Sequence, residues 1–371
     1  MTDAVVSIRD IHKKYGGLGR RVHALRGVTM DVPRGSIFGL LGPNGAGKST
    51  LVKILITAVK RSGGSGTVLG QPIGKKEALA KVGYLPEHHN LPKHLTGRQV
   101  IEFFGAMARM PKADRRRRAD ELLDLVHMRD WHNKKVGGYS KGMRQRIGIA
   151  QALVADPDLV ILDEPTDGVD PSGRRDIRLM LQQMRDEGRT VFINSHLLGE
   201  LEQVCDAVAI MHKGQVVSMG SIEQLTDGML RYEIEIDAGG KSEGEGELEA
   251  AAGTFMRALP EALAKGKSER PPPTAGLAPP TDEGLAKRVG LRGELATGES
   301  VEVHGNRLWI GTTDATTIQP VLDAIRAKGG VIKEVRTHRP SLEDLFMQAV
   351  EHDDSPGAAR RTKAPRGEVS P

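Results

Sequence analysis

The stretch LLGPNGAGKST, residues 40–50, sets three glycines, a lysine and two hydroxyl side chains directly after a short apolar run. The residues before it, SIFGLLG (36–42), predict a buried strand, and those after it, KSTLVKILITAV (48–59), have helical spacing. Glycine lets backbone amides approach an anion closely, and a helix N-terminus favours negative charge. The stretch therefore predicts a strand, a phosphate-binding loop and a helix. The apolar side of that helix carries Leu51, Ile54, Leu55 and Ala58.

The motif G-x-x-x-x-G-K-S runs from Gly42 to Ser49 and indicates what kind of phosphate is bound. Lys48 can reach the β- and γ-phosphates of a nucleotide, and the hydroxyl of Ser49 can ligate Mg²⁺. The strand before the motif and the helix after it argue against a chance occurrence. The motif thus predicts a nucleoside triphosphate site.

A second apolar strand, LVILDEP (159–165), ends in two carboxylates. Ligands of an open parallel sheet bind at the carboxyl ends of its strands, which places Asp163 and Glu164 beside the phosphate loop. Asp163 can hold magnesium directly or through water, and Glu164 can orient an attacking water and accept its proton. A turn that merely contains acidic residues is the alternative interpretation.

Strand and helix patterns alternate along most of the chain. Residues 68–85 predict short strands around turns, residues 96–156 have helical periodicity, and the helix starting at residue 171 precedes the strand TVFINSH (190–196). This alternation predicts an α/β fold with a mostly parallel sheet covered on both faces. Within the helical part, GGYSKGMRQR (137–146) places a serine and a glycine at a helix start, as a helix cap or an anion site would.

The composition changes near residue 238. The segment 238–297 is rich in Gly, Glu, Ala and Pro and predicts a flexible insertion, with a possible short helix at 249–265. After it, ESVEVHGNRLWIGTT predicts a hairpin with a Gly-Asn turn, and the strand RYEIEI (231–236) is expected to pair with this hairpin across the insertion. A helix (316–328), the strand VIKEVRT and a last helix follow. That helix begins with the capping pattern of Ser341 and Asp344, and the tail 350–371 is expected to be disordered.

The length, charge and composition of the chain exclude several classes of protein. The chain has 371 residues, a net charge of +5 and a pI near 9.2, which permits weak attraction to nucleic acid or anionic lipid but requires neither. Its single cysteine, Cys205, excludes an internal disulfide and is expected in the core. No run reaches the ~18 apolar residues that span a bilayer, and no secretory signal is visible. We therefore expect a cytosolic chain whose membrane role would need a partner.

In this order, GPNGAGKST, YSKGMRQRIGIAQALVADPDLVILDEPTDGVDP and INSH resemble the ATP-binding subunit of an ABC transporter over residues 5 to about 230. The resemblance implies a P-loop NTPase core (1–88 and 157–230) with an inserted helical signature subdomain (89–156). The remaining part, 231–349, is then a small C-terminal α+β domain that contains the insertion. ATP and Mg²⁺ are the implied cofactors.

The resemblance also implies a head-to-tail homodimer with two ATPs between the subunits. Each ATP would be bound by one subunit through Tyr15, which matches the aromatic residue that stacks on adenine, and through Gly42, Pro43, Asn44, Gly45, Ala46, Gly47, Lys48, Ser49 and Thr50. The opposite subunit would contact its γ-phosphate with the signature segment Tyr139–Met143, mainly Ser140 and Gly142. Asp170 would lie at the subunit boundary. His196 would contact the γ-phosphate and fix the water-activating geometry around Glu164.

Two positions depart from the family pattern. The signature usually has two central glycines and then glutamine, whereas Lys141, Gly142 and Met143 stand here. The lysine could add charge near the phosphate or point to solvent. A glutamine that links magnesium to the membrane partner is replaced by Glu87, whose oxygens can still bind the metal. Because Glu164 is retained, ATP hydrolysis is expected.

The C-terminal stretch HRPSLEDLFMQAV resembles the close of subunits that pair with a separate permease, among them exporters of drugs, sodium or polysaccharide. It is also compatible with an ordinary amphipathic helix. The predicted protein is an ATPase that powers an integral membrane permease from the cytoplasmic face of the cell membrane, with export as the favoured direction. The rival is a soluble ABC ATPase acting on ribosomes or nucleic acid. The resemblance disfavours this rival, because DNA-repair members of the family carry a very long coiled coil where this chain has only about 90 residues, between the phosphate loop and the signature. Translation factors of the family usually carry two cassettes, whereas this chain shows one, so no nucleic acid partner is expected.

Two further clusters have ordinary interpretations. The run RRRR (115–118) lacks interleaved aromatic residues and predicts the solvated face of a helix that begins after Pro111. His88 and His89 lack a third ligand at useful spacing, so a surface loop is favoured over a metal site.

Overall fold

The computed structural model describes residues 3–16, 22–227, 231–237, 291–294, 298–304, 307–327, 330–338, 341–343 and 345–346. Contacts divide the chain into two compact units. The first is Met1–Gln224 with the segment that begins at Leu342, and the second is Leu225–Ser341. Among the described residues, no helix has both the length and the apolar character needed to cross a membrane.

The first unit contains two sheets. Its strands are β1 (Ala4–Tyr15), β2 (Val22–Pro33), β3 (Ile37–Leu41), β4 (Gly63–Val68), β5 (Gln71–Pro72), β6 (Val82–Leu85), β7 (Leu159–Asp163), β8 (Thr190–Ser195), β9 (Ala207–His212) and β10 (Gln215–Ser221). The larger sheet has the order β10-β9-β3-β8-β7-β6. All its pairs are parallel except β10 with β9, which confirms the predicted α/β class and mostly parallel sheet.

Three helices of the first unit begin with a side-chain cap or a proline in the first turn. The helices of this unit are α1 (Lys48–Leu55), α2 (Gly97–Met107), α3 (Lys112–Leu125), α4 (Lys141–Leu153), α5 (Pro171–Asp186) and α6 (Leu198–Glu202), and a short helix α7 (Ile222–Asp227) spans the boundary in the chain between the two units. A capping box between Thr96 and Gln99 starts α2, Ser140 caps α4, and Pro171 occupies the first turn of α5. The helices α2, α3 and α4 pack on one another, and α4 also contacts β6 and β7.

The core of the first unit lies on the larger sheet. Every residue of β3, β7 and β8 is buried, as expected for parallel strands covered on both faces. Phe38 and Phe192 stack on neighbouring strands with ring centroids 5.8 Å apart. Cys205 is buried, and its Sγ lies in the space beside Gly39, which confirms the predicted core position.

Some predicted boundaries and exposures were wrong. The first helix ends at Leu55 rather than at residue 59, because Thr57 adopts a left-handed backbone with φ of 60°, and Ala58 is exposed. The arginine run lies on α3, which does begin after Pro111, but only two of its four arginines are exposed. Arg118 instead donates to the backbone oxygen of Leu153 at 3.0 Å.

His89 also differs from the prediction. His88 is exposed, as predicted for a surface loop, whereas His89 is half-buried and its Nε2 donates to the backbone oxygen of Arg144 at 3.2 Å. Burial lowers the pKa of His89. The loop that carries these residues is therefore partly packed against α4.

The second sheet of the first unit was not predicted. Its order is β2-β1-β4-β5, with every pair antiparallel. The pairing of β1 with β2 contains several register shifts, so the alternation of apolar and polar residues that marks a strand is interrupted.

The second unit has one antiparallel sheet and a helix. Its elements are β11 (Arg231–Asp237), β12 (Leu291–Glu294), β13 (Ser300–His304), β14 (Arg307–Ile310), α8 (Ala315–Ala327) and β15 (Val331–His338). The strand order is β12-β13-β14-β11-β15. Apolar residues of α8, among them Ile318 and Val321, share a core with Ile234 and Leu308 of the sheet.

The predicted pairing across the insertion is present, since β11 pairs with β14. The insertion itself is shorter than predicted at its end, because residues 291–294 form a strand against β13. The remaining predictions for residues 238–290, the Gly-Asn turn, Asp344 of the last helix and the tail 350–371 lie outside the described residues.

We expect Phe192→Ala to destabilise the protein by about 4 kcal/mol, because it removes a fully buried ring and leaves a cavity beside Phe38. Leu179→Ala is the control, since Leu179 is 54% exposed on α5 and its truncation should change stability by about 0.5 kcal/mol or less. Urea unfolding of both variants measures the difference. Equal unfolding midpoints would contradict the placement of Phe192 in the core.

Candidate nucleotide site

Four neighbouring strands end at one edge of the larger sheet and bring the predicted site residues together. The phosphate loop follows β3, Glu87 follows β6, Asp163 and Glu164 stand at the end of β7, and His196 follows β8. Because these strands are parallel, their carboxyl ends meet at the same edge, where ligands of such sheets bind.

The phosphate loop is a tight turn between β3 and α1. The amide of Ala46 donates to the backbone oxygen of Pro43 at 3.1 Å, and Gly47, with φ of 104°, is the N-cap of α1. Asn44 and Gly45 are exposed at the tip of the loop, and Ser49 and Thr50 are half-buried in the first turn of α1. The helix N-terminus therefore faces the loop, in the arrangement that binds phosphate.

Lys48 is only 7% exposed, although it carries a positive charge. Its Nζ donates to the backbone oxygens of Gly42 at 2.6 Å and Pro43 at 3.4 Å. Across the described ranges of the chain, no carboxylate lies within ion-pair distance of it. Burial lowers the pKa of Lys48, and the charges of Glu164, Asp163 and Glu87 oppose that effect. An anion at the loop would supply the missing close counterion.

Asp163 is buried at the end of β7, and Asn194 of the neighbouring strand donates to its carboxylate. Burial raises the pKa of Asp163, the hydrogen bond from Asn194 opposes that shift, and the charges of Glu87 and Glu164 add to it. Burial, with the charges of Asp163 and Glu87, also raises the pKa of Tyr84 to about 12. The site thus concentrates negative charge that a cation would neutralise.

The donors available to a metal are oxygens, the kind that Mg²⁺ prefers. They are the hydroxyl of Ser49, the carboxylate of Asp163 and the exposed carboxylate of Glu87. In the part of the chain that the structure describes, no three His, Cys, Asp or Glu side chains form a complete metal cluster. The two carboxylates among the predicted donors are compatible with Mg²⁺, which usually takes one or two carboxylates and completes its shell with water and substrate phosphates.

Hydrogen bonds hold both the backbone and the carboxylate of Glu164 in place. It has a left-handed backbone with φ of 51°, and its amide donates to the backbone oxygen of Asn194 at 2.8 Å. Its carboxylate accepts hydrogen bonds from Ser195 Oγ at 3.1 Å and from His196 Nδ1 at 2.8 Å. Both donors come from the end of β8, so that strand sets the orientation of the carboxylate.

The signature turn starts α4 and contacts residues 167–173 of its own chain. Ser140 is exposed, and its Oγ accepts a hydrogen bond from the amide of Met143 at 3.2 Å. Lys141 forms an ion pair with Asp167 at 2.7 Å, which holds the pKa of Asp167 below its usual value. Of the two alternatives for Lys141, a position near phosphate or in solvent, the structure shows an exposed side chain paired within its own subunit.

Two further predicted residues are Tyr15 and Asp170. Tyr15 ends β1, is 38% exposed, and has the ammonium of Lys13 4.7 Å from its ring centroid. Asp170 is exposed at the N-cap of α5 and, with Ser140 and Gly142, lines a cavity of about 280 Å³. The structure therefore places Asp170 beside the signature turn.

Several buried polar residues at the site were not predicted from the sequence. Asn194 and Ser195 support the two carboxylates, and both interrupt an apolar strand just before His196, which is a signal that could have identified them. Gln145 is buried on α4 and donates to the backbone oxygen of Glu164 at 3.3 Å. Its neighbours in the sequence, Arg144 and Arg146, are also polar, so the sequence does not show that Gln145 is buried.

The family description "ABC transporter" matches residues 25–167. The uncharacterized ABC transporter ATP-binding protein all4389 of Nostoc sp. is 42% identical over 239 residues, which are 63% of this chain and 71% of that protein. The chain belongs to the family of ABC transporter ATP-binding proteins. Nod factor export ATP-binding protein I of Cupriavidus pinatubonensis is 33% identical, over 62% of this chain and 70% of that protein.

Solved structures agree with this assignment. The ABC transporter component cbiO1 of Clostridium perfringens is 28% identical, with a TM-score of 0.55 over 60% of this chain and 90% of that one. The dimeric cassette MJ0796, in a post-hydrolysis state bound to ADP and Pi, is 24% identical with a TM-score of 0.54, over 58% and 98% of the two chains, and shows the shared fold. The predicted P-loop fold, family and ATPase class are thus confirmed.

We expect Gly42→Ala to weaken ATP binding at least tenfold and to lower the unfolding midpoint. Gly42 has φ of 154°, and a Cβ there would lie 2.4 Å from the backbone oxygen of Met211, so the loop must shift. Gly188→Ala is the matched control, because its φ of 88° is also unfavourable for alanine but no atom lies within 4 Å of the added Cβ. Titration with a fluorescent ATP analogue measures affinity. Wild-type affinity in Gly42→Ala would contradict the tight loop geometry.

Proposed function

We propose that this ABC transporter ATP-binding protein binds MgATP, dimerises around it, hydrolyses the β–γ bond and so drives a separate membrane permease. The observation that carries the proposal is the buried Lys48, whose close partners among the described residues are backbone oxygens, at the edge where Asp163 and Glu164 end β7. A triphosphate with its divalent cation complements this mixture of buried charges of both signs.

Binding is assigned to the loop Gly42–Gly47 with Lys48, Ser49 and Thr50. The amides of the loop and the N-terminus of α1 would face the phosphates, and Lys48 would turn from the loop carbonyls to the β- and γ-phosphates. Tyr15 would stack on adenine with the ring face that Lys13 now covers. Ser49, Asp163 and Glu87 would hold Mg²⁺, which when bound neutralises charge that develops on the phosphates.

Hydrolysis is assigned to Glu164. Its carboxylate would accept a proton from the attacking water, while the hydrogen bonds from Ser195 and His196 fix its direction. His196 is more exposed than Glu164, so its other ring nitrogen is available to the γ-phosphate. The preceding strand β8 thus positions both groups.

Dimerisation is supported by the exposure of the signature turn. Ser140 is exposed at the N-terminus of α4, where its hydroxyl and the helix amides can meet an anion held by another subunit. The exposed Asp170 lies beside this turn and would face the subunit boundary. ATP would then favour the closed dimer because it contacts both subunits only in that state.

Coupling to a permease is inferred from relatives rather than from geometry. One of them is named for Nod factor export, and we infer export here as well. The permease would hold the chain at the cytoplasmic face of the cell membrane, with coupling through the loop at Glu87 and the helical segment 96–130. The transported substrate depends on that permease.

The variant Glu164→Gln should bind ATP normally, accumulate as an ATP-bound dimer and lose at least about a hundredfold in turnover, because a carboxamide does not accept the proton of water. Gel filtration with ATP and a phosphate-release assay measure both effects. Glu77→Gln, an exposed residue before β6, is the control and should behave as wild type. Normal steady-state turnover in Glu164→Gln would remove Glu164 from the proposed role.

Affinity capture of the tagged chain from detergent-solubilised membranes should recover an integral membrane protein in stoichiometric amount, because the proposal requires a separate permease. Parallel sedimentation of the lysate tests the rival function. Recovery with ribosomes or nucleic acid, and no membrane protein in the captured material, would contradict the transport role while leaving ATP hydrolysis intact.

A further inference from the structure

The helix that carries the signature turn also reaches the main chain of Glu164 in the same subunit. Ser140 caps α4, and Gln145 lies just over one turn further along it. Gln145 is only 4% exposed, and its Nε2 donates to the backbone oxygen of Glu164 at 3.3 Å. This contact crosses from the helical part of the unit to the end of β7.

Glu164 needs such support because its backbone is unfavourable for a residue with a side chain. A left-handed conformation at a non-glycine residue persists only where the surroundings hold it in place. The amide of Glu164 is held by the oxygen of Asn194, and its own oxygen accepts from the amide of Asp167 at 3.2 Å and from Gln145. Among these partners, Gln145 alone belongs to α4.

Two ion pairs hold α4 against the same segment. Lys141 pairs with Asp167, three residues after Glu164, and Arg146 pairs with Asp176 on α5 at 2.6 Å. The buried amide of Gln145 lies between these ion pairs along the helix. A shift of α4 would therefore move the backbone of Glu164 directly, through the hydrogen bond from Gln145.

We propose that Gln145 is a positioning residue for hydrolysis, which ties the Glu164 carboxylate to the helix that carries Ser140. This inference rests on the proposed function, in which Ser140 meets ATP held by the other subunit. Closure onto the partner's ATP then sets the position of α4, and Gln145 transmits it to the subunit's own Glu164. Each of the two ATP sites thereby depends on the occupancy of the other.

The test is Gln145→Met, which keeps the length and removes the donor. We expect kcat to fall about tenfold while the Kd for ATP, measured with a fluorescent analogue, stays within about twofold of wild type. Thermal unfolding should show a midpoint near that of the unaltered protein. Gln151→Met is the matched control on α4, since Gln151 is half-buried and its side chain makes no hydrogen bond within the described residues, and its kcat should be unchanged.

A double variant separates positioning from a merely structural role. If Gln145 acts through Glu164, adding Gln145→Met to Glu164→Gln should change neither the single-turnover rate nor the amount of ATP-trapped dimer. A further loss of either quantity would overturn the proposal, as would wild-type kcat in Gln145→Met beside an active parent. Absence of hydrolysis by the unaltered chain would instead contradict the proposed function itself.

Discussion

The buried ammonium of Lys48 is the constraint on which the candidate site depends. Its close partners are backbone oxygens of its own loop, and the carboxylates of Asp163, Glu164 and Glu87 act on it only from a greater distance. Burial raises the pKa of Asp163, and the charges of Glu87 and Glu164 add to that shift. In the proposed MgATP-bound state, a phosphate would neutralise the cation and the divalent metal would neutralise the carboxylates, so both electrostatic costs would be removed together.

The parallel sheet fixes the positions of these charged groups relative to one another. Its strands supply the charged groups from their carboxyl ends, and complete burial of β3, β7 and β8 leaves little freedom in where those ends lie. Two polar residues of β8 then orient the carboxylates, because Asn194 donates a hydrogen bond to Asp163 and Ser195 donates one to Glu164. The parallel sheet therefore orients the carboxylates, while α4 carries the signature turn that we propose meets a second subunit.

Local patterns in the sequence were sufficient to predict the phosphate loop, the acidic end of β7 and the pairing of β11 with β14, because each depends on short motifs or regular periodicity. They failed where packing decides the outcome. Helical spacing continues through Ala58, although the chain turns at Thr57. The pair of Lys141 with Asp167 joins residues 26 apart, and the contact of Gln145 with Glu164 joins residues 19 apart. No local pattern identifies such partners, since they meet only when α4 packs near the end of β7.

The position of β11 in the second unit has a consequence for biosynthesis. Both strands that flank β11, namely β14 and β15, come later in the chain. The edge strand β15 pairs with β11 up to His338, which lies opposite Arg231. One edge of β11 therefore stays unpaired until β14 has been synthesised and the other until β15 has been synthesised, and unpaired strand edges invite association with other nascent chains. The five-stranded sheet is therefore complete only after β15, the last of its strands in the chain, has joined β11.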